Sequence, residues 1–226
     1  LGAFGLHHKF NDDLIIGVLA EIDHFDDKAN DASGTGWLLG PYVVAKHPSS
    51  PLYFEGRLLY GKSANNVSPF GTYVDAFDTD RLLAQARVTG QLLRPRMIWM
   101  PFFDLSFVRD TQNAYQNALG DVVPELTVNL TQLSGGLDFQ RPITLARGGD
   151  LTLAGGVAVA YARAHAGDIG GGSSGTAQDR NTLSSALHLG LDYQRDNLTF
   201  NLRSALNGIG TNQITKSIAL AAEWRF

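Results

Sequence analysis

Ser217-Ile218-Ala219-Leu220-Ala221-Ala222-Glu223-Trp224-Arg225-Phe226 closes the sequence with an apolar side chain at every second position. In an extended chain Ile218, Leu220, Ala222, Trp224 and Phe226 share one side, and Ser217, Ala219, Ala221, Glu223 and Arg225 share the other. That period of two predicts a strand with one apolar face and one small or charged face. An aromatic row of this kind is a liability in water. It is at home where the strand pairs into a closed sheet and turns its apolar face to lipid.

The same design recurs upstream. Leu198, Phe200 and Leu202 alternate with Thr199, Asn201 and Arg203, and Leu183, Leu187, Leu189, Leu191 and Tyr193 with Ser184, Ala186, His188 and Asp192. Leu52, Phe54, Leu58 and Tyr60 stand against Tyr53, Glu55 and Arg57, and Met97, Trp99, Phe103, Leu105 and Phe107 against Asp104 and Ser106. From Leu126 the phase slips between Leu130 and Leu133, which predicts a bulge. About eleven strands follow, at 2–10, 14–25, 35–46, 52–62, 80–93, 97–109, 126–139, 150–164, 181–194, 197–207 and 214–226.

Connections alternate in length. Asn11-Asp12-Asp13, Pro48-Ser49-Ser50-Pro51, Arg94-Pro95-Arg96 and Arg195-Asp196-Asn197 are short, with a longer connection around Pro142 to Gly149, whereas 26–34, 63–79, 110–125 and 165–180 are long and polar, with only 208–213 brief. Short turns on one side and long loops on the other are the periplasmic and extracellular ends of an outer-membrane barrel. Phe226 is then expected on the short-turn side, and the first strand starts on the long-loop side. An even-stranded barrel requires one more strand upstream, so the expected fold is an all-β, antiparallel transmembrane barrel of twelve strands, eleven of them within residues 1–226.

Composition excludes several alternatives. No apolar stretch approaches the roughly 18 residues of a membrane-spanning helix. A net charge of −4 without a basic patch gives a nucleic acid nothing to bind. The absence of cysteine removes disulfides and thiolate chemistry. The sense of the alternation separates a membrane barrel from a soluble one. Its polar face carries Glu55, Arg57, Arg87, Asp104, Arg203, Glu223 and Arg225, charges of both signs mixed with Gly and Ser, as a wet lumen requires. The opposite face is Leu, Val, Ile and Phe, with Trp and Tyr near strand ends, as lipid contact requires.

Several stretches resemble the autotransporter β-domain, the translocator of type V secretion. They are Gly36-Trp37-Leu38-Leu39-Gly40-Pro41-Tyr42, Tyr60-Gly61-Lys62-Ser63, Val67-Ser68-Pro69-Phe70-Gly71-Thr72-Tyr73, Phe77-Asp78-Thr79-Asp80-Arg81-Leu82 and Asp150-Leu151-Thr152-Leu153-Ala154-Gly155-Gly156. The terminal Ile218, Leu220, Trp224 and Phe226 resemble the assembly signal of outer-membrane barrels in general. The resemblance implies a barrel whose pore holds a helix leading to an N-terminal passenger; the polar face alone makes Glu55, Arg57, Arg87, Asp104, Arg203, Glu223 and Arg225 the expected contacts to it. It implies as partners the lipid bilayer, lipopolysaccharide, the barrel assembly machinery and the chain's own passenger segment, with no cofactor and no metal. A self-sufficient porin, or an adhesin acting through its loops, is the alternative, and a barrel enzyme is a third class.

Other features carry weaker chemistry. Asp23-His24 pairs a carboxylate with an imidazole, as a water-activating site would, but alternation sends the two to opposite faces. His7, Lys9, Glu21 and Asp23 are expected to form ion pairs between adjacent strands in the lumen. Gly167 to Gly175 lacks the Gly-Lys-Ser/Thr of a phosphate loop. Asp26, Asp27, Asp31, Asp75, Asp78 and Asp80 lack the spacing of an EF-hand and suit solvated or lipopolysaccharide-bridging carboxylates. Gly5, Gly17, Gly40, Gly61, Ser106, Gly136 and Gly190 are expected to leave room in the lumen for a helix or extended segment.

Overall fold

Each period-two segment becomes a strand, and each short turn joins neighbours. The computed structural model describes residues 2–29, 31–146, 148–167 and 178–224. Most of the Gly167–Gly175 loop, together with Arg225 and Phe226, lies outside the described residues. The strands are β1 (Gly2–Asn11), β2 (Leu14–Asp27), β3 (Ala32–Lys46), β4 (Leu52–Val67), β5 (Asp75–Gly90), β6 (Leu92–Arg94) and β7 (Met97–Gln112). They continue as β8 (Tyr115–Gln116), β9 (Val122–Val123), β10 (Leu126–Thr144), β11 (Asp150–Ala166), β12 (Gln178–Arg195), β13 (Leu198–Ile209) and β14 (Thr215–Trp224).

One antiparallel sheet runs in the order β1-β2-β3-β4-β5-β7-β10-β11-β12-β13-β14, so every long strand lies beside its sequence neighbour. The short β6 pairs with β7, and β8–β9 form a small hairpin of their own. The two-residue turn between β12 and β13 uses Asp196 at a positive φ of 50°, a conformation that Asp and Asn tolerate better than most residues. β1 and β14 are the edges of the sheet and do not pair with each other among the described residues.

Burial is inside out compared with a water-soluble protein. Among the described residues the one fully buried apolar side chain is Leu59, whereas Leu58, Leu183 and Leu189 are 51%, 62% and 58% exposed. Leu59 shares the inner face with Arg57, and Leu58 sits on the outer one. A continuous outer belt of bare Leu, Val, Ile and Phe has no use for water and fits hydrocarbon.

Two expectations are corrected. No bulge interrupts β10: its register with β7 is continuous from Leu126↔Gln112 to Gln140↔Ile98, and with β11 from Val128↔Ala166 to Thr144↔Asp150. The phase slip is an exchange of faces. Below it Leu133 and Leu137 point outward, and Gln132 and Ser134 inward; above it Thr131 and Asn129 point outward, and Leu130 and Val128 inward. The strand passes out of the apolar belt at this level, and its outer face turns polar while the backbone pairing carries on. A true register shift lies elsewhere, between β12 and β13, where Leu187↔Leu206 gives way to Ser185↔Ile209. The strands also run further into the long loops than alternation indicates. The β4–β5 ladder extends to Val67↔Asp75, because hydrogen bonding between strands does not need an apolar face.

Candidate functional site

The inner face of the sheet collects most of the charged side chains within the strands, and it divides into two unlike halves. On β2 to β7 the long side chains are tied to one another. Arg57 on β4 places Nη1 2.6 Å from Oε1 of Glu21 on β2, and its Nε donates to Gln85 Oε1 on β5 at 2.8 Å. The Gln85 amide donates in turn to Asp104 on β7 at 3.3 Å. Arg81 on β5 reaches Asp23 on β2 at 2.9 and 3.1 Å and approaches Asp110 on β7 at 3.5 Å. Three strand spacings, about 14 Å, separate β2 from β5, so a pair of this kind requires a concave wall.

Glycine makes these crossings possible. A Cβ at Gly36 would lie 2.6 Å from Asp23 Oδ1 and 2.8 Å from Arg81 Nη1, so the ion pair rests directly on the backbone of β3. Gly17 is covered by the Tyr42 ring, whose hydroxyl meets His7 Nδ1 at 3.1 Å. Gly136 is covered by Phe102, which also carries the Arg87 guanidinium 4.8 Å above its ring centre. The space at Gly17 and Gly136 is therefore taken by neighbouring side chains, contrary to the expectation that it stays open. Gly5 is the exception, with its nearest neighbours 3.8 Å away.

The remaining half of the wall is smooth. Register puts Ala154, Gly156, Ala158, Ala160, Ala162 and Ala164 of β11 on the inner face, opposite Gly190, His188, Ala186, Ser184, Thr182 and Arg180 of β12. Ala205 and Arg203 of β13 and Ser217, Ala219 and Ala221 of β14 continue it. Alternation already placed Ser184, Ala186, His188, Arg203, Ser217, Ala219 and Ala221 on the polar face, but not the alanines of β11. What the sequence does not display is that the small ones gather on adjacent strands.

Of the residues expected to line a lumen, Arg57 and Asp104 belong to the network, and Arg87 stacks on Phe102 beside it. Glu55 stands opposite Arg87 and forms no ion pair among the described residues. Arg203 binds Asp192 at 2.5 Å, and Glu223 pairs in register with Thr199 on the inner face. Ile218, Leu220 and Trp224 lie together on the outer face of β14. The network expected of His7, Lys9, Glu21 and Asp23 takes different partners: Lys9 binds Asp12 at 2.7 Å, and the two acids bind Arg57 and Arg81. Arg81, Gln85 and Asp110 were missed. Arg81 falls in phase with Gln85 and Arg87, and that spacing was the available signal. Asp23 and His24 do point to opposite faces, and His24 meets Thr35 at 3.0 Å on the outside.

At the long-loop end, the β8–β9 hairpin folds back over this wall. The Tyr115 ring stacks on Phe77 at 5.3 Å, and the Ala118 amide donates to Asp75 at 2.8 Å. Burial first, then the carboxylate of Asp75, raises the Tyr115 phenol above its ordinary pKa. Beneath it Asn65 donates to Ser63 Oγ at 3.0 Å and to Thr79 Oγ1 at 2.9 Å, all three buried. Ser63, Asn65, Phe77 and Thr79 also line an open pocket of ≈ 260 Å³ at this corner of the mouth.

The sequence matches the autotransporter β-domain family over residues 2–204. No curated protein matches it. Among solved structures it is similar to the β-domain of the Bordetella autotransporter BrkA, at 16% identity and a TM-score of 0.61, covering 99% of this chain and 89% of that one. It is also similar to a mutant ferric enterobactin receptor, PfeA, from Pseudomonas aeruginosa, at 11% identity and a TM-score of 0.52, covering 97% of this chain and 38% of that one. At these identities the two likenesses show a shared fold.

Proposed function

The chain belongs to the autotransporter β-domain family, and from that membership we propose how its inner wall divides the work of moving a passenger. It is an outer-membrane translocator, a barrel through which a passenger reaches the cell surface. The braced half, β2 to β7, holds the shape of the pore. Its charges satisfy one another and leave few free hands for a guest. The smooth half, β11 to β14, is the track along which the passenger segment lies.

The observation that carries this reading is the run of Ala and Gly on the inner face of β11, from Ala154 to Ala164, facing Gly190, Ala186, Ser184 and Thr182 on β12, with His188 and Arg180 the larger exceptions. Side chains of this size give a transiting segment room without bonds strong enough to hold it. Glu55 on β4 of the braced half and Arg203 on β13 of the smooth half supply weak, water-screened contacts to a charged segment.

Closure belongs to the same proposal. β1 and β14 both run from the long-loop side to the short-turn side, so an all-antiparallel cylinder needs one strand of opposite direction between them. A strand on the N-terminal side of β1 would complete twelve.

Because the chain contains no cysteine, single cysteines give a direct test. In the full-length protein, Ala160→Cys and Ala186→Cys should form disulfides with cysteines in the passenger segment caught during export. Ser63→Cys, buried under the opposite wall, should not. Equal crosslinking from all three would refute a preferred track.

A further inference from the structure

Four neighbouring strands change the character of their outer face along a single level. On β7, Phe103, Leu105 and Phe107 give way to Arg109 and Thr111; on β10, Leu137 and Leu133 give way to Thr131 and Asn129. On β11, Val157, Val159 and Tyr161 give way to Arg163 and His165; on β12, Leu187 and Leu183 give way to Asn181 and Asp179. Register lines these up: Arg109 pairs with Asn129, Asn129 with His165 and His165 with Asp179, and one step below Phe107 pairs with Thr131 and Thr131 with Arg163. Phe107, Arg109, Asn129, Thr131, Arg163 and His165 line one open cleft of ≈ 420 Å³.

We propose that this cleft binds the phosphorylated headgroup of an outer-leaflet glycolipid, lipopolysaccharide in a bacterial outer membrane. The inference rests on the membrane-barrel reading and adds a lipid site to it. The cleft opens on the lipid side of the wall, directly above the last apolar and aromatic residues on the long-loop side, where headgroups begin. β7 and β11 are two strand spacings apart, about 10 Å, which lets Arg109 and Arg163 flank one phosphate. The Asn129 amide and the Thr131 hydroxyl lie between them as further donors. Guanidinium forks suit phosphate oxygens better than any other side chain does.

Charge favours an anion as well. Asp179 takes a bond from Arg163 at 3.2 Å and one from His165 at 2.5 Å, but Arg109 is exposed and has no ion pair among the described residues. A surplus of positive charge therefore remains. The corresponding outer-face group on β4 and β5 differs: Asp80 binds Lys62 at 3.3 Å and accepts from Tyr60 at 2.9 Å, a closed set with no cation left over.

The full-length protein in detergent, titrated with purified bisphosphorylated lipid A and followed by native mass spectrometry, tests the site. The wild type should retain lipid A, and Arg109→Gln with Arg163→Gln should retain it at least about tenfold more weakly, the loss expected for two charge-assisted contacts. Asn129→Asp, which sets a carboxylate between the arginines, should weaken it similarly, and Lys62→Gln should change nothing. Inorganic phosphate alone should not compete at matching concentration. Equal retention by wild type and both cleft variants, or equal retention of dephosphorylated lipid A, would overturn the proposal. Heat-dependent gel mobility, checked on every variant, separates failure of the site from failure of the barrel.

Discussion

Arg81 of β5 meets Asp23 of β2 at 2.9 Å, across two intervening strands, lying over the bare backbone of Gly36. The pair connects residues that no local pattern links, and it holds the braced half of the wall curved. Adding a methyl group at Gly36 forces the two side chains apart or up into the lumen. Gly36→Ala should destabilise the barrel by about 1–3 kcal/mol, as overpacking does. Equilibrium unfolding in urea with lipid vesicles measures it, and an unchanged midpoint would show that the pair does not brace the wall.

Adjacent residues of β12 test which face meets lipid. Leu187 lies on the outer face within the apolar run, and His188 lies inward, 3.5 Å from Asp138. Leu187→Arg should cost about 2–4 kcal/mol, the amount for an arginine facing mid-bilayer. His188→Arg places a guanidinium beside Asp138 and should be close to neutral in the same unfolding assay. The reverse ranking would mean that the sheet is turned the other way.

The hairpin over the mouth is held partly by Tyr115 on Phe77. Tyr115→Ala removes an aromatic contact worth about 0.5–1.5 kcal/mol and should let the hairpin swing away. Conductance of the purified protein in planar bilayers should rise, with more frequent transitions between levels. Conductance identical to wild type would mean that the hairpin does not narrow the pore.

Ala160→Trp puts the bulkiest side chain in the middle of the smooth wall, between Ser134 and Ser184. Barrel assembly, read from heat-dependent gel mobility, should be unaffected. The fraction of passenger reaching the surface should fall to a small part of wild type. Undiminished export would move the track away from β11.

Strand positions were almost wholly legible, because a wall with lipid on one side and water on the other writes its period of two into the residues. Legibility ended where that contrast ends. Above Leu133 the outer face of β10 leaves the apolar belt, the polarity of the two faces exchanges, and a continuous strand looked like a bulged one. The same cause hid the upper parts of β4 and β5. The faces of Arg57, Arg87 and Asp104 followed from alternation, but their partners did not. Arg57 chooses Glu21 on the next strand but one, and Arg81 chooses Asp23 three strands away, through curvature that a linear pattern does not contain. Glycine misled for a related reason: Gly17 and Gly136 are small so that Tyr42 and Phe102 can lie over them, and the smooth stretch of the inner wall is made by alanines instead.

The most direct test of the translocator is the position of an epitope placed on the N-terminal side of Leu1 in the full-length protein. In intact cells whose barrel has the heat-dependent mobility of a folded one, antibody and added protease should reach the epitope. Deleting β12 to β14 should abolish that exposure. An epitope that stays protected until the outer membrane is broken, with the barrel inserted and folded, would contradict export through this wall.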